Sequence, residues 1–224
     1  AAERQQRLAA YQAGAWEFVS QPLDGEMLLL KLDAFMRGKR ETDRLIAESL
    51  LDAATGLYNM RGLVRRAREI SAEAQRLRAP IACVAFSPVA VTLENEERPL
   101  NGDTARVVEH LGAVVSRTGR VSDAIGRVGP TDFAIIAPAT GSDGAVRLIE
   151  RIQTMIDVEP LGIGDYEHRV KIRAGYCAVP DFSESALDAV EMLVRATTAL
   201  RYLCADFDGV SIKAFEELPV RSAL

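Results

Sequence analysis

Two side chains of opposite charge stand three residues apart in Arg120-Val121-Ser122-Asp123, just ahead of a glycine-led turn. An arginine guanidinium can bond O6 and N7 of guanine with both arms, or stack on the face of the base. A carboxylate can accept from the guanine N1 and N2 donors. The same two residues also read as a surface ion pair of little energetic weight. Other reactive side chains are sparse. Cys83, Cys177 and Cys204 are an odd number with no paired spacing, and read as small apolar residues in a reducing compartment. His110 and His168 are far apart, with no Cys or His beside them, so no structural zinc site is expected. Arg65, Arg66 and Arg68 read as a solvated helix face.

The elements that must position these residues alternate along the chain. Hydrophobic residues make up 48% and charged residues 26% of the 224, the profile of a globular protein. A net charge of −5 argues against general nucleic-acid binding, yet leaves room for a local arginine cluster that takes a small acidic ligand. The sequence has no apolar run of 18 residues and no signal peptide, so a soluble, cytoplasmic protein without membrane contact is expected. Ala1 to Ala13 reads as a helix closed by Gly14. From Glu26, Leu28, Leu32, Phe35 and Met36 recur at helical spacing, and the pattern runs through a charged stretch towards Leu50. Beyond Asp52, helices are expected at 61–78, 103–117, 145–156 and 186–203. Strands are expected at 81–86, where Ser87-Pro88 ends the run, and at 124–128, 133–137, 170–179 and 210–214. Gly129, Pro130, Thr131 and Asp132 form the turn of a hairpin. Hairpins mixed with helical crossovers predict an α/β fold with a mixed sheet flanked by helices.

Two motifs carry a family resemblance. Asp52-Ala53-Ala54-Thr55-Gly56-Leu57-Tyr58-Asn59 resembles the D-x-L-T-G-L-x-N motif that opens GGDEF domains, the domains of diguanylate cyclases. Arg127-Val128-Gly129-Pro130-Thr131-Asp132-Phe133 resembles the R-Y-G-G-D-E-F hairpin. The likeness runs from Leu51 to Leu218 in the family's order of elements. It implies a nucleotidyl-cyclase-like fold with a ferredoxin-like palm. Residues 13–23 resemble the end of a response-regulator receiver domain, with Gln21 where that family has lysine. The expected organisation is therefore a receiver tail at 1–38, a linker helix at 39–50 and a degenerate GGDEF domain at 51–224. As given, the sequence lacks a phospho-accepting aspartate and is not expected to receive a phosphoryl group.

The resemblance also shows what has changed. A diguanylate cyclase needs carboxylates to hold the metal ions that serve the triphosphate. The family's D-x-D-x-F-K strand reads Ala85-Phe86-Ser87-Pro88-Val89-Ala90 here, so both aspartates and the lysine are missing. The five signature positions are Gly129, Pro130, Thr131, Asp132 and Phe133, with Thr131 a poor Mg²⁺ ligand in the metal-binding place. Leu93 aligns with a guanine-contacting asparagine, Asp103 matches a second guanine contact after a one-residue shift, and Cys204 replaces a phosphate-binding lysine. Glu94, Glu96 and Glu97 are the nearby carboxylates that an offset alignment would bring in. The expectation is no catalysis, no metal and no cofactor.

What survives is the family's inhibitory product site, R-x-x-D. Asp123 lies six positions before Gly129, the family spacing, and the second arginine of that site falls on Arg151. The resemblance thus implies a cyclic di-GMP receptor with Arg120, Asp123 and Arg151 as its binding residues, in a homodimer that recruits a protein partner. Two rivals stand beside it: a dimerising interaction module without nucleotide, and a residual diguanylate cyclase.

Overall fold

The computed structural model describes residues 2–15, 22, 24–93, 96–98, 104–163, 166–205 and 210–219. They fall into two compact units that meet between Glu48 and Ser49. The first holds α1 (Ala2–Gln12) and α2 (Gly25–Glu48). Gly14, at φ +91°, ends α1 in the left-handed region that favours glycine. Asp24 caps α2, its Oδ1 accepting from the Met27 N–H at 3.0 Å. Lys39–Asp43 and Arg44–Glu48 pair one turn apart along the charged half of α2. The expected domain boundary after residue 38 falls inside this unbroken helix. Residues 16–21 and 23, on which most of the receiver resemblance rests, lie outside the described residues.

The second unit contains α3 (Met60–Leu77), β1 (Ile81–Leu93), β2 (Glu96–Arg98), α4 (Thr104–Thr118), β3 (Ala124–Arg127), β4 (Phe133–Pro138), α5 (Ser142–Val158), β5 (Leu161–Ile163), β6 (Tyr166–Val179), α6 (Ala189–Ala205) and β7 (Ile212–Ala214). The strands form one sheet in the order β3-β4-β1-β6-β5, with β2 on β1 and β7 on β6. All pairings are antiparallel except β6 with β7. This is the expected α/β architecture, and its core follows from the period of two along β1. Ala82, Val84 and Phe86 face α4 and α5, while Ile81, Cys83 and Ala85 face α3 and α6. A strand covered on both faces needs a continuous apolar run, and 81–86 is one. Phe86 and Phe133 stack at 5.3 Å across the last β1–β4 pair.

One expectation is overturned. β1 does not stop at Ser87-Pro88 but runs on to Leu93, pairing with β6 from Ile81↔Val179 to Thr92↔Arg169. Past Phe86, β4 no longer flanks it, and the register shifts between Pro88 and Ala90. A half-paired stretch at a bulge is where a strand tolerates a residue without an N–H. Pro88 is therefore a strand residue, not part of a strand-to-helix loop. Leu93 pairs with Glu96 in a β1–β2 hairpin.

Helix α6 crosses β6 at Gly175 with no room to spare. A Cβ built there would lie 2.3 Å from the Leu200 nitrogen and 2.4 Å from the Ala196 oxygen, both backbone atoms. Gly175→Ala must push the helix off the sheet. It is expected to lower stability by about 1–3 kcal/mol, read as a reduced urea midpoint with an unchanged slope.

Candidate functional site

The motif that opens the second unit is a folded knot of polar contacts. The Asp52 Oδ1 accepts from the Thr55 N–H at 3.0 Å and from its hydroxyl at 2.8 Å. The backbone closes the same turn, with Asp52 N–H to Leu57 O at 2.7 Å and Gly56 N–H to Asp52 O at 2.9 Å. Asn59 caps α3 through the Gly62 N–H at 2.9 Å, and its Nδ2 donates to Ser49 O at 2.8 Å. Tyr58 lies along β3, receiving the Arg127 N–H at 2.8 Å and donating to Ile125 O at 3.0 Å.

Arg127 links this knot to the hairpin. Its Nη1 reaches the Asp52 carboxylate at 3.3 and 3.4 Å, Nε donates to Gly129 O at 3.1 Å, and Nη2 donates to Pro130 O at 2.6 Å. Both side chains are about one-fifth exposed. The turn closes with the Val128 N–H on Asp132 O at 2.8 Å. At its rim the Thr131 and Ser87 hydroxyls are 3.3 Å apart, and Thr131 donates to Asp132 Oδ1 at 3.4 Å. Ala85 is fully buried beneath α3 and α6. Strand end and hairpin therefore bring together two hydroxyls and one carboxylate. Among the described residues, no group of three or more His, Cys, Asp or Glu stands together to hold a metal ion. Glu94 and Asp103 lie outside the described residues.

Near this rim the strand register supplies a cation that the sequence reading passed over. Arg173 pairs with Ser87 across β1 and β6, and its Nη1 donates to Leu203 O at 2.6 Å near the end of α6. The neighbouring Cys204 is exposed, and partial burial pushes its thiol up.

A second location gathers the arginines. Arg120 and Asp123, in the loop between α4 and β3, line a cavity of about 680 Å³ with Arg151 of α5. The three expected binding residues, separated in sequence, thus share one open site. Asp123 Oδ2 accepts the Arg120 backbone N–H at 2.8 Å, which folds residues 120–123 back on themselves. Arg120 and Arg151 are exposed. Arg147, one turn ahead of Arg151 on α5, lines the same cavity and was not singled out by the sequence reading. Its spacing of four from Arg151 was the available signal. The turn from Ala139 to Gly144 that starts α5 also lines the cavity, with Ala139 at φ +50°. No helix of the described residues is long and apolar enough to cross a membrane.

Comparison with known proteins agrees with this architecture. Residues 101–203 match the family model described as the GGDEF domain of diguanylate cyclases. The fold is similar to the GGDEF domain of FimX from Pseudomonas aeruginosa, at 15% identity and a TM-score of 0.60, covering 74% of this chain and 99% of that one. It is similar to the GGDEF domain of DgcB from Caulobacter crescentus, solved in complex with c-di-GMP, at 16% identity and a TM-score of 0.59, covering 75% and 97%. It is also similar to the diguanylate cyclase SiaD of Pseudomonas aeruginosa, solved with its activator SiaC, at 19% identity and a TM-score of 0.58, covering 94% and 77%.

The Asp52 carboxyl carries a pH signature. Burial pushes it up, but hydrogen bonds from Thr55 and Arg127, with the Arg127 charge, outweigh burial and hold it below the ordinary value. A carboxyl depressed by folding adds stability that is present above its unfolded pKa of about 3.9 and lost as pH falls through the folded value. Asp52→Asn is expected to cost about 1–2 kcal/mol at neutral pH. In chemical denaturation its deficit against the unmodified chain should shrink steadily below about pH 4.

Proposed function

On the premise that the second unit carries a GGDEF domain, we propose that it is a receptor for cyclic di-GMP and not a diguanylate cyclase. The observation that carries this reading is the single cavity lined by Arg120, Asp123 and Arg151. Its chemistry suits a guanine dinucleotide. An exposed guanidinium offers O6 and N7 two parallel donors or stacks on the base. The Asp123 carboxylate, oriented through its bond to the Arg120 backbone, keeps lone pairs for N1 and N2. The arginines also meet the charge of two phosphates. The relative DgcB was solved with this ligand bound.

The argument against turnover is the donor set at the hairpin. Where a cyclase needs carboxylates to hold Mg²⁺, Ser87 and Thr131 offer neutral hydroxyls and Ala85 offers nothing. Asp132 alone does not build the site. The response of the receptor is a change in dimer packing or in recruitment of a protein partner. The exposed apolar residues of α2, among them Leu29, Leu30 and Met36, supply a surface for such packing. The first 38 residues are read as the tail of a receiver domain.

Calorimetric titration with cyclic di-GMP tests the receptor. Binding at micromolar concentration or tighter is expected. Arg120→Ala should weaken it at least 10-fold, from the loss of about 1–3 kcal/mol in one bidentate base contact. A folded protein that gives no heat overturns the reading. Incubation with GTP and Mg²⁺ is expected to yield no cyclic product, and any sustained turnover overturns the second half of the proposal.

A further inference from the structure

We propose that the groove between α3 and the start of α6 docks an extended, acidic segment of a protein partner. The groove has a volume of about 360 Å³ and shares no residue with the arginine cavity. The proposal therefore stands whether or not cyclic di-GMP binds.

Three observations on α3 point to an occupant. First, Arg68 is unspent. Arg65 and Arg66, its neighbours on the helix, both pair with Glu69. Arg68 is exposed at the groove and has no hydrogen-bond or ion-pair partner among the described residues. Such a guanidinium suits a carboxylate, which it can grip with two parallel N–H groups. Secondly, the Ser71 hydroxyl is shut off from water and has no partner among the described residues. Buried polar atoms in native folds are rarely left so. A change of rotamer turns this one to the groove that Ser71 lines, where a main-chain group of an occupant would complete it. Thirdly, Gln75 lines the same groove, and its exposed amide also has no partner among the described residues. That amide both donates and accepts, as a peptide group does. Arg68, Ser71 and Gln75 follow at helical spacing and form one stripe along α3.

The shape of the groove favours a strand over a helix. Val64 and Gln75, the first and last α3 residues that line it, are about 16 Å apart along the helix axis, the span of about five extended residues. Small side chains, Ala67 and Ala72 on one wall and Ala189 on the other, let a backbone come close. A helix spends its main-chain groups on itself, whereas an extended chain leaves them for Ser71, Gln75 and the Asp188 carboxylate across the groove. Asp188 caps α6 through Oδ1, which accepts the Glu191 N–H at 2.7 Å, and keeps Oδ2 for a peptide N–H. The walls are fixed before anything binds. Helices α3 and α6 each bury an apolar face, and the Phe182 N–H ties the segment ahead of α6 to Ala79 O, just past α3, at 3.2 Å. A groove held open in this way costs little to occupy.

Panning the full chain against a library of random heptapeptides tests the docking. Enriched sequences are expected to carry Asp or Glu at one shared position. A selected peptide, labelled and followed by fluorescence anisotropy, should bind Arg68→Ala about 10-fold more weakly. Arg68→Glu should reverse the preference and favour the same peptide with lysine in place of the acid. Ala72→Phe, at an exposed position, should block the groove while the chain still melts as the unmodified one does. Enrichment no stronger than against Ala72→Phe, or an acid preference that persists in Arg68→Glu, overturns the proposal. So does free glutamate that competes as well as the peptide, since the occupant would then be a small molecule.

Discussion

The second unit hangs on one guanidinium. Arg127 joins the Asp52 carboxylate, at the start of the unit, to two carbonyls of a turn that lies far along the chain. Neither partner is fully buried, and the planar fork serves three acceptors at once. Much depends on this junction. Asp52 closes its own turn and delivers the chain to Asn59, which starts α3. Arg127 fixes the conformation of the hairpin, and with it the facing of Thr131 towards Ser87. A lysine at 127 could supply the charge but not the fork.

The broad plan was legible because apolar periodicity and turn chemistry agreed. Val107, Val108, Leu111 and Val115 recur at helical spacing within the helix expected at 103–117, and all are buried on α4. The turn at 129–132 joins β3 and β4 as expected. The extension of β1 was not legible, because Ser-Pro reads locally as a stop. Pairing with the 14-residue strand β6, a tertiary partner invisible to local pattern, overrides that signal. Strands β2 and β5, of three residues each, are too short to show a period. Arg120, Asp123 and Arg151 could be named from spacing alone, but only the folded chain shows that they share a cavity with Arg147 and the start of α5. Arg173 was invisible for a similar reason, since cross-strand register brings it opposite Ser87.

The two locations differ in how their charges are used. At the hairpin, Arg127 is consumed by structure, its donors directed at protein oxygens. At the cavity, Arg120 stands on a loop and Arg147 and Arg151 on α5, their guanidinium groups without an acceptor among the described residues. A charge already spent on the fold is poor at recognition, whereas a solvated one keeps its donors for a ligand. The apolar sheet makes this separation possible. Both of its faces are filled by helices, so polar chemistry is left to strand ends, loops and the outer faces of the helices.

The Tyr58 backbone has a consequence beyond holding the opening motif. In the order β3-β4-β1-β6-β5, β3 is a border strand, and its outer N–H and C=O groups would stand open as a template for another chain. Tyr58 occupies that border, bridging to Gly126 and bonding to Ile125 and Arg127. The segment thereby acts as a selvedge. It finishes the woven margin, so that the Ile125 carbonyl and the Arg127 N–H are already taken and a second molecule finds neither of them open.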